Sequence, residues 1–555
     1  MKSPIKLFFF VGFLLMLASC GTSKSMRHQP DISHYNTVKP FVTKQSDSVF
    51  TSGKNSFSKN KQGIWELYVE GDPLEIGLNT GALSDSLLKK QEHIFFSKIK
   101  DIVPSKFQQN LLRNFLKWYN RKLYTNVPDE YQTEIFGISQ YTTHDFDNIA
   151  PQFQRSLYLH AAHDIGHALQ DLALVGCSSF AAWVEKSEDG NLILGRNFDF
   201  YVNDAFAENK IVAFINPKEG NKFMMVTWPG MIGAVSGMNI EGLTVTINAS
   251  KSKIPLIAKT PISILTREIL QHAKNIDEAI AIAKKSEVFV SESIMVGSAN
   301  DNKAILIEVS PKKMDVYEVP NSDQLFCANH FQGEDLKNEK RNQLQIANSH
   351  SEYRFERMQE LFAENPKINP KIASDILRNK DGLHNIPLGY GNEKALNQLM
   401  AHHGIIFKPK EKLVWVSANP YQLGEFVCYN LDSVFKERKA KKITSFQQKN
   451  LNIAKDLFLE TIQYKNYQKF RIEDDKIDIY LKNKKVISPE FIQQYQSLNP
   501  DYWVVYYKAG LYFYQKKEYK LSQANFEKAL TKEITTVPDK TAIEKYLKKI
   551  KRKLQ

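Results

Sequence analysis

The sequence predicts an α+β protein with helical regions at both ends and a strand-rich middle. Residues 64–176 carry apolar side chains at helical spacing after one short strand-like run, IWELYVEG. From Cys177 to about Leu431, short β-like runs broken by Gly, Asn and Asp alternate with helical stretches. From residue 445 the pattern is helical again. Strands in pairs with helices between them favour antiparallel sheets covered by helices.

The first twenty residues are predicted to be a signal peptide rather than part of the fold. Lys2 and Lys6 precede the apolar run LFFFVGFLLML, which is too short to span a bilayer comfortably. Small residues then precede Cys20 in LASC, which resembles a bacterial lipoprotein signal with Cys20 as the lipidated residue. An ordinary secretory signal with an incidental cysteine is the alternative. We therefore expect an exported protein that is lipid-anchored to a bacterial membrane, at the periplasmic face of the outer membrane.

Residues 21–63 are rich in Ser, Thr, Lys, Asn and Gln, and we expect them to form a flexible tether. The helical region 64–176 follows and ends in YLHAAHDIGHALQD. In that stretch His160, His163 and His167 share one helix face, and the last two have metal-ligand spacing. No Glu accompanies them as in a zinc protease, so packing or assistance to cleavage is the preferred interpretation and no metal site is predicted.

The composition limits the partners and the cysteine chemistry. The formal charge of +13 comes from lysines spread along the chain, which we interpret as a solvated basic surface, with binding to anionic lipid surfaces or acidic partners as the alternative. No nucleic-acid motif is present, so no nucleic-acid partner is expected. Without Cys20, three cysteines remain, and an odd number leaves at least one thiol unpaired or paired elsewhere. Cys327 and Cys428 are interpreted as small buried apolar residues.

Cys177 follows a glycine at the head of a strand-like run, in LVGCSSFAAW. A cysteine thiol acts as a nucleophile when a base makes the thiolate available. A chain-terminal cysteine carries its own base, because the α-amino group has a pKa of roughly 7.7–8.0. Cleavage of the Gly176–Cys177 bond would create that terminus. Glycine suits this position because it offers an unhindered carbonyl and tolerates a strained backbone.

Six motifs, in order, resemble the N-terminal nucleophile hydrolases of the acyl-CoA:6-aminopenicillanate acyltransferase type, which are related to choloylglycine hydrolases and acid ceramidases. The motifs are GDPLEIGLNTGAL (71–83), GCSS, GRNFDF, GMNIEGLTVTINAS, CANHF and SEYRFERM, and they fall between residues 64 and 430. The resemblance implies a four-layer αββα sandwich over residues 177–440. It also implies an autocatalytic cut at Gly176–Cys177 and no cofactor.

The same resemblance implies a role for each matching residue. Cys177 is the nucleophile, and Arg196 favours its thiolate. Asp199 accepts a hydrogen bond from the new ammonium group. Three further residues complete the set: Asn248 as oxyanion donor, Asn329 as a positioning residue, and Arg354 as a charged brace. The implied reaction cleaves a linear amide of a small N-acyl substrate through an acyl-thioenzyme, ending in hydrolysis or acyl transfer.

Two other functions stay open from the sequence. One is a papain-like hydrolase that uses Cys177 with His330 and needs no cleavage. The other is a non-catalytic lipoprotein scaffold that binds a protein partner through its C-terminal region. That region, residues 445–555, includes YYKAGLYFYQKKEYKLSQANFEKAL, in which Gly510, Phe526 and Ala529 have the spacing of one tetratricopeptide repeat. An ordinary helical hairpin is the alternative for this stretch, because one repeat cannot bury its own face.

Overall fold

The computed structural model describes residues 21–161, 164, 176–200, 203–251, 257–400, 402–436 and 445–555. The predicted signal peptide and Cys20 lie outside the described residues, as do His163 and His167. Over the described ranges, no helix combines the length and apolar character needed to cross a membrane.

The larger of two sheets has eleven strands among the described residues. These are β1 (Thr43–Ser46), β2 (Val49–Ser52), β3 (Asn55–Lys59), β4 (Trp65–Gly71), β7 (Ile211–Pro217), β8 (Phe223–Thr227), β9 (Ser236–Asn239), β10 (Leu243–Ala249), β11 (Glu292–Ser298), β12 (Lys303–Val309) and β13 (Met314–Tyr317), and they lie side by side in that order. Neighbouring strands are antiparallel except β4 and β7, which run parallel with Trp65 opposite Ile211. The chain ahead of Cys177 therefore supplies four strands to a sheet that the chain after it completes.

The smaller sheet is antiparallel. Its strands are β5 (Ser178–Ala182), β6 (Ile193–Phe198), β14 (Gln324–Cys327), β15 (His403–Lys408), β16 (Leu413–Ser417) and β17 (Phe426–Asn430). Their order across the sheet is β14-β5-β6-β15-β16-β17. The motifs GCSS and GRNFDF thus form neighbouring central strands, with Ser179 opposite Arg196.

Helices cover both sheets. The helices ahead of Cys177 are α1 (Pro73–Ile102), α2 (Lys106–Tyr119), α3 (Asp129–Ser139) and α4 (Gln152–His160). Those after it are α5 (Asp204–Glu208), α6 (Ile262–His272), α7 (Ile276–Lys285), α8 (Lys340–Asn348), α9 (Ser351–Glu364), α10 (Pro370–Leu377) and α11 (Leu431–Phe435). The C-terminal helices are α12 (Ile462–Asn483), α13 (Pro489–Leu498), α14 (Trp503–Gln515), α15 (Tyr519–Leu530) and α16 (Val537–Leu554).

Three of the four apolar clusters among the described residues hold the two sheets and their covering helices together, and the fourth joins the C-terminal helices. One lies between the two sheets and joins Phe214 and Leu306 of the larger sheet to Val416 of the smaller. A second fills the outer face of the larger sheet, where β10 contributes alternate residues to a cluster shared with α1, α3 and α6. The third lies under α9 and α10, where Phe180 meets Phe362 with ring centroids 5.2 Å apart. The sheets therefore pack face to face, with helices on both outer faces.

The segment expected to be a flexible tether is partly folded. Strands β1, β2 and β3 fall within residues 21–63 and extend the larger sheet. The physical reason is a short apolar anchor in a polar sequence: Phe57 is buried and stacks on Trp65 of β4, with ring centroids 4.4 Å apart. The polar composition of residues 21–63 did not reveal this anchor. A strand that is hydrogen-bonded to a neighbour on each side needs few apolar side chains to stay in the sheet.

The motif GDPLEIG begins helix α1, and each of its marked residues has a structural role. Asp72 and Glu75 form a capping box, in which each side chain accepts from the other's backbone N–H. Pro73 takes the first helical position, where its missing N–H costs nothing. Gly77 lies where α1 crosses α3, and a Cβ there would lie 2.2 Å from the Glu134 carbonyl oxygen. The motif therefore specifies a helix start and a close helix crossing.

The Gly77→Ala variant tests this crossing. The added methyl group has to push the two backbones apart, and we expect a stability loss of about 1–3 kcal/mol. A lower midpoint of thermal unfolding is the measurement. An unchanged midpoint would contradict the close approach of α1 and α3.

The C-terminal helices pack on residues 389–399 of the middle region. Tyr390 and Asn499 exchange two hydrogen bonds, from the Tyr390 N–H to Asn499 Oδ1 (3.0 Å) and from Asn499 Nδ2 to the Tyr390 carbonyl (2.8 Å). Lys394 pairs with Glu533 at 2.5 Å. Helices α14 and α15 form a hairpin in which the Ser522 hydroxyl donates to the Gly510 carbonyl at 2.8 Å. Their identity as a tetratricopeptide repeat stays a prediction.

Candidate active site

Cys177 directly precedes β5, is buried, and has one arginine at its sulfur and another at its carbonyl. The Gly176 N–H donates to the Asp199 carbonyl at 3.3 Å, which ties the residue before Cys177 to the end of the neighbouring strand β6. Arg354 of α9 donates to the Cys177 carbonyl at 2.6 Å. The predicted scissile bond is therefore held between two strands, beneath a helix.

Arg196 approaches the thiol from β6. Because side chains alternate along a strand, Arg196 points away from the outer helices and toward the larger sheet. Its Nη2 donates to Cys177 Sγ at 3.7 Å, and its guanidinium lies over the Phe198 ring, 4.2 Å from the centroid. Its other hydrogen bonds go to the Val235 carbonyl (3.2 Å), the Ser236 hydroxyl (2.6 Å) and the Ile247 carbonyl. These contacts fix a buried positive charge beside the sulfur.

Arg354 is the second cation beside Cys177, and Asn329 is one of its hydrogen-bond partners. Arg354 also donates to the Ser178 hydroxyl at 2.7 Å and to Asn329 Oδ1 at 2.6 Å. The Asn329 amide in turn donates to the Ala249 carbonyl at 2.9 Å. Arg354 and Asn329 therefore connect β5 of the smaller sheet to β10 of the larger one, directly beside Cys177.

Asn248 lies at the end of β10 and faces the smaller sheet. Its Nδ2 donates to the carbonyls of Cys327 (2.9 Å) and Ala328 (3.1 Å), and its Oδ1 accepts from the Ser179 hydroxyl (2.8 Å). In the intact chain its amide nitrogen thus already serves two backbone carbonyls. To act as the predicted oxyanion donor, Asn248 has to exchange one of these bonds for the substrate oxygen.

The protonation of Cys177 and Asp199 follows from their burial. Burial raises the pKa of the Cys177 thiol to about 11, and the nearby Arg196 charge opposes that rise. Burial also raises the pKa of Asp199 to about 7, against the opposing charges of Arg354 and Arg196. Within the described chain neither carboxylate oxygen of Asp199 makes a hydrogen bond of standard geometry. The intact chain therefore holds a neutral thiol next to a carboxyl group that is available to a new donor.

The Asp199→Asn variant tests this burial through the pH dependence of stability. The folded pKa of about 7 exceeds the ordinary 3.8, so between these values the unfolded chain has lost a proton that the folded chain retains. This group therefore makes the wild-type protein less stable as pH rises from 4 to 7, by at most about 4 kcal/mol. We expect the Asn variant to gain stability relative to the Asp199 protein across that interval, measured as thermal midpoints against pH with both proteins carrying Cys177→Ala so that the chain stays intact.

Asp189→Asn is the matched control for that series. The pKa of Asp189 is lowered: its partial burial raises it, but hydrogen bonds from Lys408 at 2.6 Å outweigh that effect. Its replacement should have the opposite sign, because stability from a lowered carboxyl pKa is lost as pH falls. Parallel curves for the Asp199→Asn variant and the Asp199 protein would contradict the raised pKa.

Four residues near Cys177 were not predicted from the sequence. Ser236 accepts from Arg196 and contacts His403 Nε2 at 3.0 Å, so His403 supports the guanidinium through one hydroxyl. Glu292 is fully buried, its pKa is raised well above its ordinary value by burial, and within the described residues its carboxyl group has no hydrogen-bond partner. Gln398 donates to the Gly176 carbonyl at 2.7 Å. None of these four residues belongs to a motif, and only the folded chain brings them near Cys177.

The two histidines considered as rivals to this site have other partners. His160 uses both ring nitrogens, one on the Ser156 carbonyl (2.8 Å) and one accepting from the Ile232 N–H (3.0 Å). His330 contacts the Ser351 hydroxyl at 2.9 Å and Glu352 at 3.5 Å, and burial lowers its pKa to about 4. Neither has a hydrogen bond to Cys177 among the described contacts, so the papain-like arrangement with His330 is not formed.

Among the described residues the structure shows neither a grouped set of metal-ligand side chains nor a disulfide. Over the described ranges no three His, Cys, Asp or Glu side chains are grouped to hold a metal ion. Cys177, Cys327 and Cys428 are free and buried. Cys327 lies in β14, opposite Ser179, and packs in the cluster between the sheets, as expected of a small apolar residue.

Comparison with known proteins agrees with the motifs. Residues 184–420 match the model of the AAT family, acyl-coenzyme A:6-aminopenicillanic acid acyl-transferase. The matched range starts just after Cys177 and contains the remaining predicted site residues, Arg196, Asp199, Asn248, Asn329 and Arg354. Over this range the chain is similar to a family of acyl-transferring enzymes.

Individual relatives are more distant. An uncharacterized protein of Archaeoglobus fulgidus is 24% identical over 271 residues, covering 46% of this chain and 45% of its own length. Protein dcd1B of Dictyostelium discoideum is 25% identical over 296 residues, covering 49% of this chain and 55% of its own. The chain thus spans about half the length of these curated relatives.

Two solved structures each align with part of the chain. A Caenorhabditis elegans N-acylethanolamine-hydrolyzing acid amidase ortholog is 17% identical, with a TM-score of 0.32, covering 42% of this chain and 93% of its own. A mutant conjugated bile acid hydrolase from Clostridium perfringens is 14% identical, with a TM-score of 0.32, covering 48% of this chain and 97% of its own. At that TM-score the likeness adds nothing to the family match.

Proposed function

We propose that this protein is an autoprocessed cysteine hydrolase or acyltransferase of the N-terminal nucleophile class, acting on a linear amide bond of a small N-acyl substrate. The observation that carries the proposal is the setting of Cys177. A buried thiol follows a glycine, with Arg196 at its sulfur and Arg354 at its carbonyl, and an available carboxyl group lies at Asp199, just past the end of the neighbouring strand. The face-to-face sheets with outer helices agree with an αββα sandwich.

The proposed turnover uses the chain's own atoms. Once cleavage frees the Cys177 α-amino group, that amine takes the thiol proton, and Asp199 orients the resulting ammonium. The sulfur attacks the substrate amide carbonyl, and Asn248 stabilises the oxyanion. The ammonium then protonates the leaving amine. Water or a second amine releases the acyl group from sulfur, which completes hydrolysis or transfer.

Cleavage is required for a second reason. In the intact chain Cys177 is only 1% exposed, so no substrate carbonyl reaches its sulfur. Under this proposal, breaking the Gly176–Cys177 bond both creates the base and permits the preceding segment to move away. The intact molecule is then an inactive precursor.

The two products of cleavage are expected to remain together. Strand β4 lies ahead of the cut and pairs with β7 along seven residues. Glu66 of β4 is buried and accepts hydrogen bonds from Tyr429 (3.1 Å), Ser445 (2.7 Å) and the Phe446 N–H (2.9 Å). Separating the pieces would expose the ladder and leave these donors unpaired, at a cost of about 1–3 kcal/mol for each buried polar group.

Export, attachment of lipid at Cys20 and binding of a protein partner by the C-terminal helices belong to the same proposal. The lipoprotein-like signal supports the first two. The hairpin of α14 and α15 supports only the third, and other residues of the C-terminal region pack on residues 389–399. A membrane-anchored hydrolase would favour lipid-like or envelope-derived amides.

N-terminal sequencing and intact mass of the purified protein test the proposal. We expect two chains, the second beginning at Cys177, that co-elute in size-exclusion chromatography. The purified protein is then assayed against a panel of N-acyl amides, including N-acyl amino acids and bile-salt conjugates. A single uncut chain that hydrolyses these amides would contradict the autoprocessing mechanism.

A further inference from the structure

We propose that the side-chain amide of Gln398 is the oxyanion donor for the autocatalytic cleavage of the Gly176–Cys177 bond. This inference rests on the proposed function, because it concerns the reaction that activates the same site. It assigns a catalytic group to the cleavage step that differs from Asn248, the donor assigned to turnover.

The first observation is a hydrogen bond to the scissile carbonyl. Gln398 Nε2 donates to the Gly176 oxygen at 2.7 Å, and both residues are buried. The Gly176 oxygen is the atom that gains negative charge when Cys177 Sγ attacks the carbonyl carbon. A donor already at that oxygen, in a site of low dielectric, stabilises the charge more than water does.

The second observation explains why a glycine precedes Cys177. A Cβ on Gly176 would lie 2.2 Å from Gln398 Nε2 and 2.5 Å from its Oε1, far closer than real Cβ atoms come. Any side chain at position 176 would therefore push the amide off the carbonyl. Glycine is needed here for close approach of the donor.

The third observation is that the backbone carrying Gln398 is fixed on both sides. Asn197 of β6 donates to the Leu396 carbonyl at 2.9 Å, and Asn397 donates to the Tyr421 carbonyl at 3.0 Å. Leu399 adopts a φ of +54°, which leucine rarely takes, and its carbonyl accepts from the Tyr467 hydroxyl at 3.2 Å. Because Tyr467 belongs to α12, the C-terminal region helps to hold the donor in place.

The cleavage step balances without a cofactor. Cys177 Sγ bonds to the Gly176 carbonyl carbon, and the oxygen becomes an oxyanion held by Gln398. The thiol proton passes to the Cys177 nitrogen as the C–N bond breaks, which leaves a Gly176 thioester and a free amine. Water then attacks the thioester carbon, restores the thiol, and leaves Gly176 as a carboxylate.

Gln398→Met tests the inference, because methionine has similar length and no N–H donor. The full chain is produced by cell-free synthesis, and the cleaved fraction is measured over time by intact-mass spectrometry. We expect cleavage to slow about 100-fold, the effect of losing one oxyanion donor.

Gln132→Met is the matched control. Gln132 is also buried, and it donates to the Val127 backbone carbonyl at 2.8 Å. It belongs to α3 and its acceptor is not the scissile carbonyl. This variant should cleave at the wild-type rate, although it loses an equivalent hydrogen bond. Slowing in both variants to the same degree would overturn the catalytic role of Gln398 and indicate a general loss of stability.

Gln398→Glu covers the case in which the methionine variant fails to fold. A carboxylate cannot donate to the Gly176 oxygen, whereas a protonated carboxyl group can. The ratio of variant to wild-type cleavage rates should therefore rise as pH falls, which a merely structural role would not produce. A pH-independent ratio would contradict the inference.

The outcomes separate this inference from the proposed function. If wild type stays uncut, the proposed autoprocessing fails and the role of Gln398 fails with it. If wild type is cut and Gln398→Met is cut equally fast, only the role of Gln398 fails. Slow cleavage in Gln398→Met, with normal cleavage in Gln132→Met, supports both.

Discussion

Cys177→Ala is expected to remain a single chain and to lack all measurable amide turnover. The substitution removes the sulfur that attacks Gly176 during cleavage and the substrate carbonyl during turnover. Loss of a nucleophile commonly reduces turnover by about 10⁶-fold. Intact mass and an N-acyl amide assay on the same preparation measure both effects.

Cys428→Ala is the control for the loss of a buried thiol. Cys428 lies in β17, is buried, and packs in the cluster under α9 and α10. We expect this variant to be cleaved and active, with only a small loss of stability. Turnover by an uncut Cys177→Ala protein would exclude the Cys177 thiol as the nucleophile and contradict the proposed mechanism.

Arg196→Met is expected to have the second largest effect, with cleavage and turnover each reduced about 100- to 1,000-fold. The variant removes the positive charge beside Cys177 Sγ and the guanidinium hydrogen bonds to the Val235 and Ile247 carbonyls. Because the charge favours the thiolate, the pKa of the mature Cys177 thiol should rise. The pH midpoint of alkylation of Cys177 by iodoacetamide in cleaved protein reports that shift.

Arg378→Met separates the charge effect from lost packing. Arg378 is also buried, donates to the carbonyls of Gln422 (3.1 Å) and Gly424 (2.7 Å), and lies over the Phe426 ring. It should lose comparable stability while the alkylation midpoint stays unchanged. A midpoint that is equally unchanged in Arg196→Met would show that Arg196 holds the strands together without acting on the sulfur.

Much of the catalytic region was predictable because its signals are local. Short β-like runs broken by Gly, Asn and Asp predicted the strands. Strands β5 and β6 pair as neighbours across the connection 183–192, which brings Arg196 beside Cys177. The match of residues 184–420 to the acyltransferase family agrees with the resemblance drawn from the motifs. The motif GDPLEIG contributed to the resemblance for a different reason. Helix capping and a close helix crossing require those residue types, whatever the position of the helix in the fold.

Other features could not be predicted because they depend on residues distant in sequence. The strands at 43–59 were missed since their stability comes from a ladder onto β4 and one stacked pair, Phe57 on Trp65. The partners of Asn248 were missed for a similar reason. Its two carbonyl acceptors lie about eighty residues further along the chain, on β14 and just beyond it.

The sequence by itself determined the candidate nucleophile, its glycine and the chemical types of its supports, because catalysis requires particular functional groups at short spacing. Only the tertiary structure decided which groups surround the scissile bond in space. It brings Gln398, 222 residues away, onto the Gly176 carbonyl, and it sets His330 against Ser351 and Glu352. The physical reason is that hydrogen bonds and burial act over a few ångströms of space, whatever the separation along the chain.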